Sequence, residues 1–372
     1  MSIPTSSDDM TAASMADLVR TRFPGATVGS LEVIARHIFG EGDVSTAGRI
    51  VVALDDTDPD ELPERLIVKV ARPELPATPL YENEVAVYLH LRDELDRLDI
   101  EAPRCFGARF DTTTGSFELA LEDLTRRDVV FADVEVEVPL DSIRSVLAQV
   151  ARLHGAYWES PRFADDLAWV QRHTSGPLHT LFTHPGLAPA LIREQVATVQ
   201  FKAEVLSTIG QTVDDLRDQT QRVQAHQATL PTTVVHGDLH VGNTYYLPDG
   251  TGGFIDWQLT SRGYCLHDVG YYLITSMPAA LRRIHERDLL GFYLDQLAAT
   301  GVDAPGREAA WEEYRRSAAW SLYVGWLTTP LENYGWSINV VNHLRLAAAY
   351  RDLDTADAVA SLPHPPTAQE FP

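Results

Sequence analysis

The stretch VVHGDLHVGNTYYL, residues 234–247, contains a carboxylate and an amide at a spacing that suits phosphoryl transfer. Asp238 is followed by Asn243, and a second carboxylate, Asp256, closes the apolar segment GFID after a predicted turn. Transfer of a phosphoryl group from a nucleotide needs a carboxylate that orients and deprotonates the acceptor. It also needs oxygen ligands that hold magnesium against the phosphates. The spacing supplies both kinds of group.

Two histidines flank Asp238 and raise the alternative of a metal site. A zinc site of the His-Glu-x-x-His type needs both histidines on one continuous helix. Here Gly237 lies between His236 and His240, the preceding run at residues 232–235 is typical of a strand, and the acid falls one place late. A binuclear metallophosphoesterase needs an upstream Asp-x-His and a downstream Gly-Asn-His, and the sequence contains neither. These patterns favour phosphoryl transfer.

The segments around this stretch predict the elements that must position it. GRIVVAL (48–54) and RLIVKVA (65–71), with a Pro-containing turn between them, predict a hairpin, and FGARFD and SFELALEDL predict two further strands. Apolar spacing predicts helices over residues 80–95 and 15–40, the latter interrupted at Pro24 and Gly25. From about residue 140 helical patterns dominate, except for the opening stretch, which predicts strand, loop, strand, turn and strand.

The spacing of Asp238, Asn243 and Asp256 resembles the protein-kinase pattern His-Arg-Asp-x-x-x-x-Asn with its later Asp-Phe-Gly. Gly237 replaces the arginine, and Trp257 follows the last aspartate. This variant is similar to that of the aminoglycoside phosphotransferase and choline-kinase-like family of small-molecule kinases, which includes ecdysteroid-kinase-like proteins. The resemblance implies an α+β fold that is bilobal and protein-kinase-like, with an antiparallel-sheet N-terminal lobe and a larger, mainly helical C-terminal lobe.

The same resemblance implies an activity, with ATP and Mg²⁺ as cofactors. Asp238 is expected to be the catalytic base that helps move the γ-phosphate of ATP to a hydroxyl or amine of a small molecule. Asn243 and Asp256 are expected to bind the metal. The alternative is a nucleotide-binding pseudokinase without turnover. The pseudokinase alternative is disfavoured because Lys69 and these three residues are all present, whereas a catalytically inactive site is expected to lack at least one of them.

Further residues match the nucleotide-binding parts of the family. Lys69 in LIVKVA is expected to hold the α- and β-phosphates, and Glu84 in ENEVAVY to pair with it, with Glu82 as the rival partner. LALEDL, which contains Glu122 and Asp123, resembles the hinge whose backbone binds adenine. Each residue also has a simpler interpretation, since a lysine on a strand often faces solvent and LALEDL could be an ordinary strand end.

The same resemblance predicts a phosphate loop and the residues that support the catalytic loop, HGDLHVGN at residues 236–243. FGEGDVSTAGRIVV has Ser45 where a protein kinase has its third glycine, so backbone N–H groups and the hydroxyl of Ser45 or Thr46 are the expected phosphate contacts. We expect His236, His240 and Asp268 to support the loop rather than to react. For His240 the alternative is a place in the acceptor pocket.

Aromatic residues near the C-terminus could form that pocket. Tyr323 and Trp326 recur at helical spacing, and Trp257 follows the magnesium aspartate. Such a stripe is more often buried in a core. The functional alternative is a wall for an acceptor that is cationic or hydrophobic.

The composition limits the classes of protein. The chain has 372 residues, 45% of them hydrophobic, and a formal net charge of −23. Such an acidic chain is not expected to bind nucleic acid or a membrane. Two cysteines far apart, with no signal sequence, predict a cytoplasmic protein. We expect a loose leader (1–14), a nucleotide-binding lobe (15–122), a catalytic and substrate lobe (123–362) and a tail (363–372), with the oligomeric state left open.

Overall fold

A computed structural model of the protein describes residues 3–4, 7–36, 47–55, 62–71 and 78–363. The predicted phosphate-loop residues Ser45 and Thr46 and their neighbours Gly40 and Gly42 lie outside these residues, as does nearly all of the expected tail.

The N-terminal lobe is a five-stranded antiparallel sheet with helices packed against it. The strand order is β1-β2-β3-β5-β4. Its elements are α1 (Ala12–Val19), β1 (Ser30–Arg36), β2 (Ala47–Asp55), β3 (Arg65–Ala71), α2 (Thr78–His90), α3 (Arg92–Arg97), β4 (Cys105–Asp111) and β5 (Ser116–Glu122).

Alternation along β3 assigns its side chains to the two faces of this sheet. Leu66, Val68 and Val70 are buried in a cluster that also contains residues of α1. Ile67 and Lys69 therefore point to the opposite face, which is the side of α2, because successive side chains of a strand alternate. The strand pattern of LIVKVA thus positions its lysine.

The helix predicted over residues 15–40 is wrong for most of its described part, residues 20–36. α1 ends at Val19, and Ser30–Arg36 forms β1, which pairs with β2. Pro24 and Gly25 separate the two elements. Beyond them Leu31 and Val33 are half-buried and alternate with exposed residues, so the apolar period is two rather than 3.6. The stretch is a half-exposed edge strand of the sheet, and pairing with β2 decides its structure.

The C-terminal lobe is mainly helical. A π-helical segment, Ser321–Trp326, continues α11, and α12 contains a kink at Gly335. The elements in chain order are β6 (Val130–Phe131), α4 (Leu140–Ala156), α5 (Pro177–Thr183), α6 (Ala188–Thr198), α7 (Gln200–Ile209), α8 (Val213–Gln227), β7 (Thr233–Val235), β8 (Thr244–Tyr246), β9 (Gly252–Phe254), β10 (Ser261–Gly263), α9 (Leu266–Ser276), α10 (Ala279–Ala299), α11 (Arg307–Trp320), α12 (Leu331–Asp352) and α13 (Thr355–Ala360).

The short strands of this lobe flank the candidate catalytic residues. β7 pairs with β10, while β8 lies between β6 and β9. Asp238 therefore lies in the loop between β7 and β8, and Asp256 follows β9 directly. The strand, loop, strand, turn and strand predicted for this stretch are all present.

A single hydrophobic cluster extends through both lobes. It joins Tyr88 of α2 and Leu119 of β5 to Leu239 of the catalytic loop and Tyr271 of α9. The two-lobed α+β architecture predicted from the sequence is confirmed. Within the described residues, no helix has the length and apolar character needed to cross a membrane.

Candidate active site

The ammonium group of Lys69 connects the two lobes. Its Nζ lies 2.7 and 2.6 Å from the two carboxylate oxygens of Glu84 on α2, and 3.2 Å from Oδ1 of Asp256. All three side chains are largely buried. Glu82, the rival partner, is exposed to solvent. The fold thus brings a lysine and two carboxylates from distant parts of the sequence into direct contact.

The charges in this group determine its protonation. Burial opposes the charge on Lys69, but Asp256 and Glu84 raise the pKa of its ammonium above the ordinary value. Burial also acts against the charge on Asp256, yet Lys69 and Arg49 hold the pKa of that carboxyl below its usual range. Burial raises the pKa of Glu84, against the attraction of Lys69. Lys69 is therefore a cation and Asp256 an anion, as contacts with phosphate and metal require.

Asn83 fixes α2 to the segment that follows Asp256. Its Nδ2 donates hydrogen bonds to the carbonyl oxygens of Gln258 and Thr260, at 2.9 and 2.8 Å. Because Asn83 directly precedes Glu84, these bonds hold the glutamate in register with the C-terminal lobe.

Gly237 gives the catalytic loop a backbone conformation that other residues rarely adopt. Its φ is +85°, and a Cβ atom at this position would lie 1.9 Å from the carbonyl oxygen of Leu259. Any side chain would therefore require Leu259 to move. This explains why glycine stands where protein kinases have an arginine.

The buried carboxylate of Asp268 holds the backbone just before Asp238. Oδ2 accepts the N–H of His236 at 2.6 Å, and Oδ1 accepts the N–H of Gly237 at 2.9 Å. Nε2 of His154 lies 3.2 Å from Oδ2. Burial alone would raise the pKa of Asp268, but its contacts with His154 and other histidines bring it to about 2. The loop is thus anchored by an ionised carboxylate.

Two histidines complete the support of this backbone. Nε2 of His236 donates to the carbonyl oxygen of Ile255 at 3.0 Å, and its Nδ1 accepts the N–H of Asp238 at 3.3 Å. Nε2 of His267 donates to the carbonyl oxygen of Gly237 at 3.0 Å. Burial lowers the pKa of both imidazoles, so the rings are neutral and act through hydrogen bonds.

His240 packs against aromatic side chains of the helices in the C-terminal lobe. Its Nδ1 accepts the N–H of Gly242 at 3.0 Å, and its ring lies 5.6 Å from that of Tyr271 and 5.8 Å from that of Trp326. Burial lowers its pKa to about 4. The ring is thus a neutral contact between the loop and an aromatic cluster.

Asn243 and Asp238 are joined within the loop. Nδ2 of Asn243 donates to the carbonyl oxygen of Asp238 at 2.9 Å, which leaves the amide oxygen of Asn243 as the group that can bind a cation. Burial, reinforced by the nearby charge of Asp256, raises the pKa of Asp238 well above its ordinary value. A raised pKa makes a carboxylate a better proton acceptor near neutral pH.

The donor set fits magnesium. In the part of the chain that the structure describes, no three His, Cys, Asp or Glu side chains form a metal cluster. Magnesium in nucleotide sites takes only one or two protein oxygens and draws its other ligands from phosphates and water. The amide oxygen of Asn243 and the ionised carboxylate of Asp256 are hard oxygen donors of this kind.

A cleft with a volume of about 220 Å³ lies between the lobes beside these groups. Lys69, Glu84, Asn243 and Asp256 line one part of it. The other part has apolar walls, formed by Ile67, Leu121, Phe131 and Ile255. The cleft therefore has a flat apolar end and a charged end, as a nucleotide requires.

The carboxylates of the predicted hinge bind protein groups. Oε2 of Glu122 accepts the N–H of Arg104 at 3.2 Å. Oδ1 of Asp123 accepts the N–H of Thr125 at 3.1 Å, and Oδ2 lies 3.1 Å from the guanidinium of Arg65. Both residues line the cleft, and their carboxylates are engaged by these protein groups.

The aromatic residues expected at the acceptor pocket are buried. Trp257, Tyr323 and Trp326 are at most 2% exposed, and Trp257 packs 4.6 Å from the ring of His236. Tyr334, which is 42% exposed, lines the cleft and lies 5.6 Å from Trp326. Tyr323 and Trp326 lie in the π-helical segment, and Tyr334 lies beside the kink of α12 at Gly335.

Several residues of the site have no motif of their own. Asn83 and His267 occur in ordinary helical patterns, and their contacts form only when distant segments pack together. Arg49 and Tyr334 line the cleft without matching any family pattern. A polar residue next to a motif residue, as Asn83 is to Glu84, is the only signal that the sequence offers.

Comparisons with known proteins bear on the family and the fold. The model of the ecdysteroid kinase-like family matches residues 40–303. No curated protein matches this chain. Among solved structures, a Plasmodium vivax ethanolamine kinase has a TM-score of 0.53 at 14% identity, covering 87% of this chain and 83% of that one. Choline kinase LicA from Streptococcus pneumoniae has a TM-score of 0.48 at 14% identity, covering 86% of this chain and 94% of that one.

The predicted fold and family are both confirmed. At this identity the similarity to the ethanolamine kinase shows the fold, which is bilobal and protein-kinase-like. The family model covers more than half of the sequence. The chain therefore belongs to the ecdysteroid kinase-like family, a family of kinase-like small-molecule phosphotransferases.

Proposed function

We propose that this protein is an ATP- and Mg²⁺-dependent phosphotransferase that moves the γ-phosphate to a hydroxyl or amine of a small molecule. The observation that carries the proposal is the contact of Lys69 with both Glu84 and Asp256, at 2.6 and 3.2 Å, in the cleft that Asn243 also lines. A structural ion pair needs only one carboxylate, whereas phosphoryl transfer needs a cation for the phosphates and an anion for the metal in one place.

The nucleotide occupies the cleft between the lobes. Its adenine lies between Ile67 and Ile255, with one edge against the backbone of residues 121–123, and its α- and β-phosphates lie beside Lys69. Asn243 and Asp256 hold the metal, which when bound neutralises charge on the phosphates. Most of the catalysis is alignment and charge neutralisation.

Asp238 orients the acceptor group and takes its proton late in the reaction. Its raised pKa supports this role, and its backbone is fixed through His236, Gly237 and Asp268. A positioned general base contributes about 10²- to 10⁴-fold to the rate. His236 and His240 act as neutral supports of the loop.

The acceptor enters beside Tyr334, behind which Trp326 and His240 form an aromatic wall. We infer a small molecule that is cationic or hydrophobic. A cytoplasmic location, where ATP is supplied, agrees with the two buried and unpaired cysteines, Cys105 and Cys265.

ADP release in the presence of ATP and Mg²⁺ tests the proposal, measured over a panel of amino alcohols, aminoglycosides, macrolides and lipophilic alcohols. Turnover should depend on one class of acceptor and fall at least about 10²-fold in Asp238→Asn. Thermal stabilisation by ATP without turnover of any acceptor would favour a pseudokinase. Absence of stabilisation by ATP would contradict a nucleotide site altogether.

A further inference from the structure

Arg49 places a second cation beside Lys69 on the cleft face of the sheet. The register of β2 and β3 sets Arg49 directly opposite Lys69, so the two side chains lie on the same face. Ile50 and Val52 lie one and three residues after Arg49 on β2, so they point to the other face, where they pack in the cluster with α1. Arg49 lines the cleft together with Lys69 and Asp256.

The position of Arg49 along the sheet corresponds to the phosphates rather than the base. Val51 pairs with Ile67, which lies at the apolar end of the cleft, and Arg49 pairs with Lys69, one step further toward the charged end. Tyr334 approaches from the C-terminal lobe and lines the same end. Arg49 is thus on the side of the cleft where the acceptor would meet the nucleotide.

The two cations differ in their partners. Lys69 contacts two carboxylates at 3.2 Å or less. For the Arg49 guanidinium, no hydrogen bond or ion pair connects it to another residue within the described ranges. Like charges directly opposite each other on neighbouring strands are destabilising. Asp256 and Glu84 attract Arg49 from beyond ion-pair distance, so its guanidinium keeps its hydrogen-bond donors for an anion in the cleft.

We propose that Arg49 is a phosphate-contacting residue, and that its guanidinium binds the γ-phosphate of the nucleotide. The inference rests on the proposed function. A planar guanidinium donates two parallel hydrogen bonds to phosphate oxygens, which the point charge of a lysine cannot do. Lys69 and Arg49 then hold successive phosphates from one face of the sheet, and the transferred group is the one that Arg49 holds.

Nucleotides of different phosphate length test this assignment. Binding of the non-hydrolysable β,γ-imido analogue of ATP, of ADP and of AMP is measured by calorimetry with Mg²⁺, for the wild type, Arg49→Gln and Arg49→Lys. Arg49→Gln should weaken the triphosphate analogue about tenfold or more and change ADP and AMP by less than about threefold, because only one charge-assisted contact is lost. Arg49→Lys should recover part of the affinity.

Arg36→Gln provides the matched control. Arg36 lies on β1 of the same sheet, has a side chain that is 54% exposed, and pairs only with the surface residue Asp8 among the described residues. The substitution Arg36→Gln removes the same charge from the N-terminal lobe and should leave the affinity of the protein for all three nucleotides unchanged. Thermal melting should show Arg49→Gln to be close to the wild type in stability, because the repulsion from Lys69 and the attraction to Asp256 and Glu84 are removed together.

Each contrary outcome has a separate meaning. Equal weakening of the triphosphate and ADP would place Arg49 at the β-phosphate and overturn the assignment, as would triphosphate affinity unchanged in Arg49→Gln. Failure of the wild type to bind any of the three nucleotides would contradict the proposed function itself.

Discussion

Lys69 and Asp256 contact each other at 3.2 Å, which joins β3 of the N-terminal lobe to the segment after β9 of the C-terminal lobe. The same ammonium group binds Glu84 at 2.6 Å. One buried cation therefore contacts two buried carboxylates. Its removal should lower the free energy of unfolding by more than the removal of one carboxylate would.

Lys69→Met should lower the free energy of unfolding by about 3–5 kcal/mol, since it leaves buried charges uncompensated. Adding Glu84→Gln should restore part of the loss, because one of the two unpaired carboxylates then becomes neutral. Urea unfolding of the two single variants and the double variant measures this coupling. Strict additivity of the two substitutions would show that the charges do not interact as the structure indicates.

Asp238 should lower the stability of the folded protein at neutral pH. Folding raises the pKa of Asp238, so ionisation of its carboxylate costs more free energy in the folded protein than in the unfolded chain. Asp238→Asn should therefore raise Tm at pH 7 to 8, and the gain should shrink as the pH falls toward the ordinary value of 3.8, where both states are protonating. Activity should fall about 10²- to 10⁴-fold in the same variant.

Asp303→Asn is the control for this effect, because Asp303 is exposed on the surface. It removes one negative charge without changing a buried group. An equal gain in Tm from both variants would attribute the effect to net charge and contradict the role of burial at Asp238.

Gly237→Ala should disrupt the catalytic loop beyond simple backbone strain. Gly237 and Gly210 both have positive φ values, +85° and +67°, but a Cβ at Gly210 meets nothing within 4 Å. Gly210→Ala should cost about 1 kcal/mol of stability and leave turnover unchanged. Gly237→Ala should cost more, because Leu259 must move, and should reduce turnover. Similar losses of stability and turnover in both variants would argue against a steric constraint at Gly237.

The sequence contains only two lysines, and the second, Lys202 on α7, is also buried. Its Nζ donates to the carbonyl oxygens of Leu327 and Thr329, at 3.2 and 2.6 Å, and to the side chain of Gln195. These carbonyls follow the π-helical segment, just before Pro330, which has no N–H group to offer. Lys202 thus supports the connection that leads to Tyr334.

Burial lowers the pKa of Lys202 to about 8. Between this value and the ordinary 10.5 the unfolded chain binds more protons than the folded one, so the stability of the wild type should rise with pH over that window. Glu332 on α12 is the nearby acid that opposes the effect. Lys202→Met should lack the rise, and chemical unfolding at pH 8 and pH 10 would show the difference. A constant gap between the two proteins would contradict the lowered pKa.

The parts of the site that could be predicted from the sequence are those set by local pattern. The strand LIVKVA fixes the face of Lys69, and the turn after β7 fixes the loop of Asp238, because alternation and glycine geometry act over a few residues. The contacts of Asn83 depend on how α2 packs against the C-terminal lobe, and nothing near this residue in the sequence specifies its partners. The burial of Tyr323 and Trp326 agrees with the simpler interpretation of their helical spacing, and the exposure of Tyr334 has no counterpart in that spacing.

Transfer of label from γ-labelled ATP to a small-molecule acceptor, compared between the wild type and Asp238→Asn, separates catalysis by Asp238 from nucleotide binding alone. With Asp238 as the catalytic base, the wild type should form a labelled product in the presence of Mg²⁺, and Asp238→Asn should form it at least about 10²-fold more slowly while binding ATP unimpaired. Equal rates of transfer by the two proteins would contradict that role of Asp238.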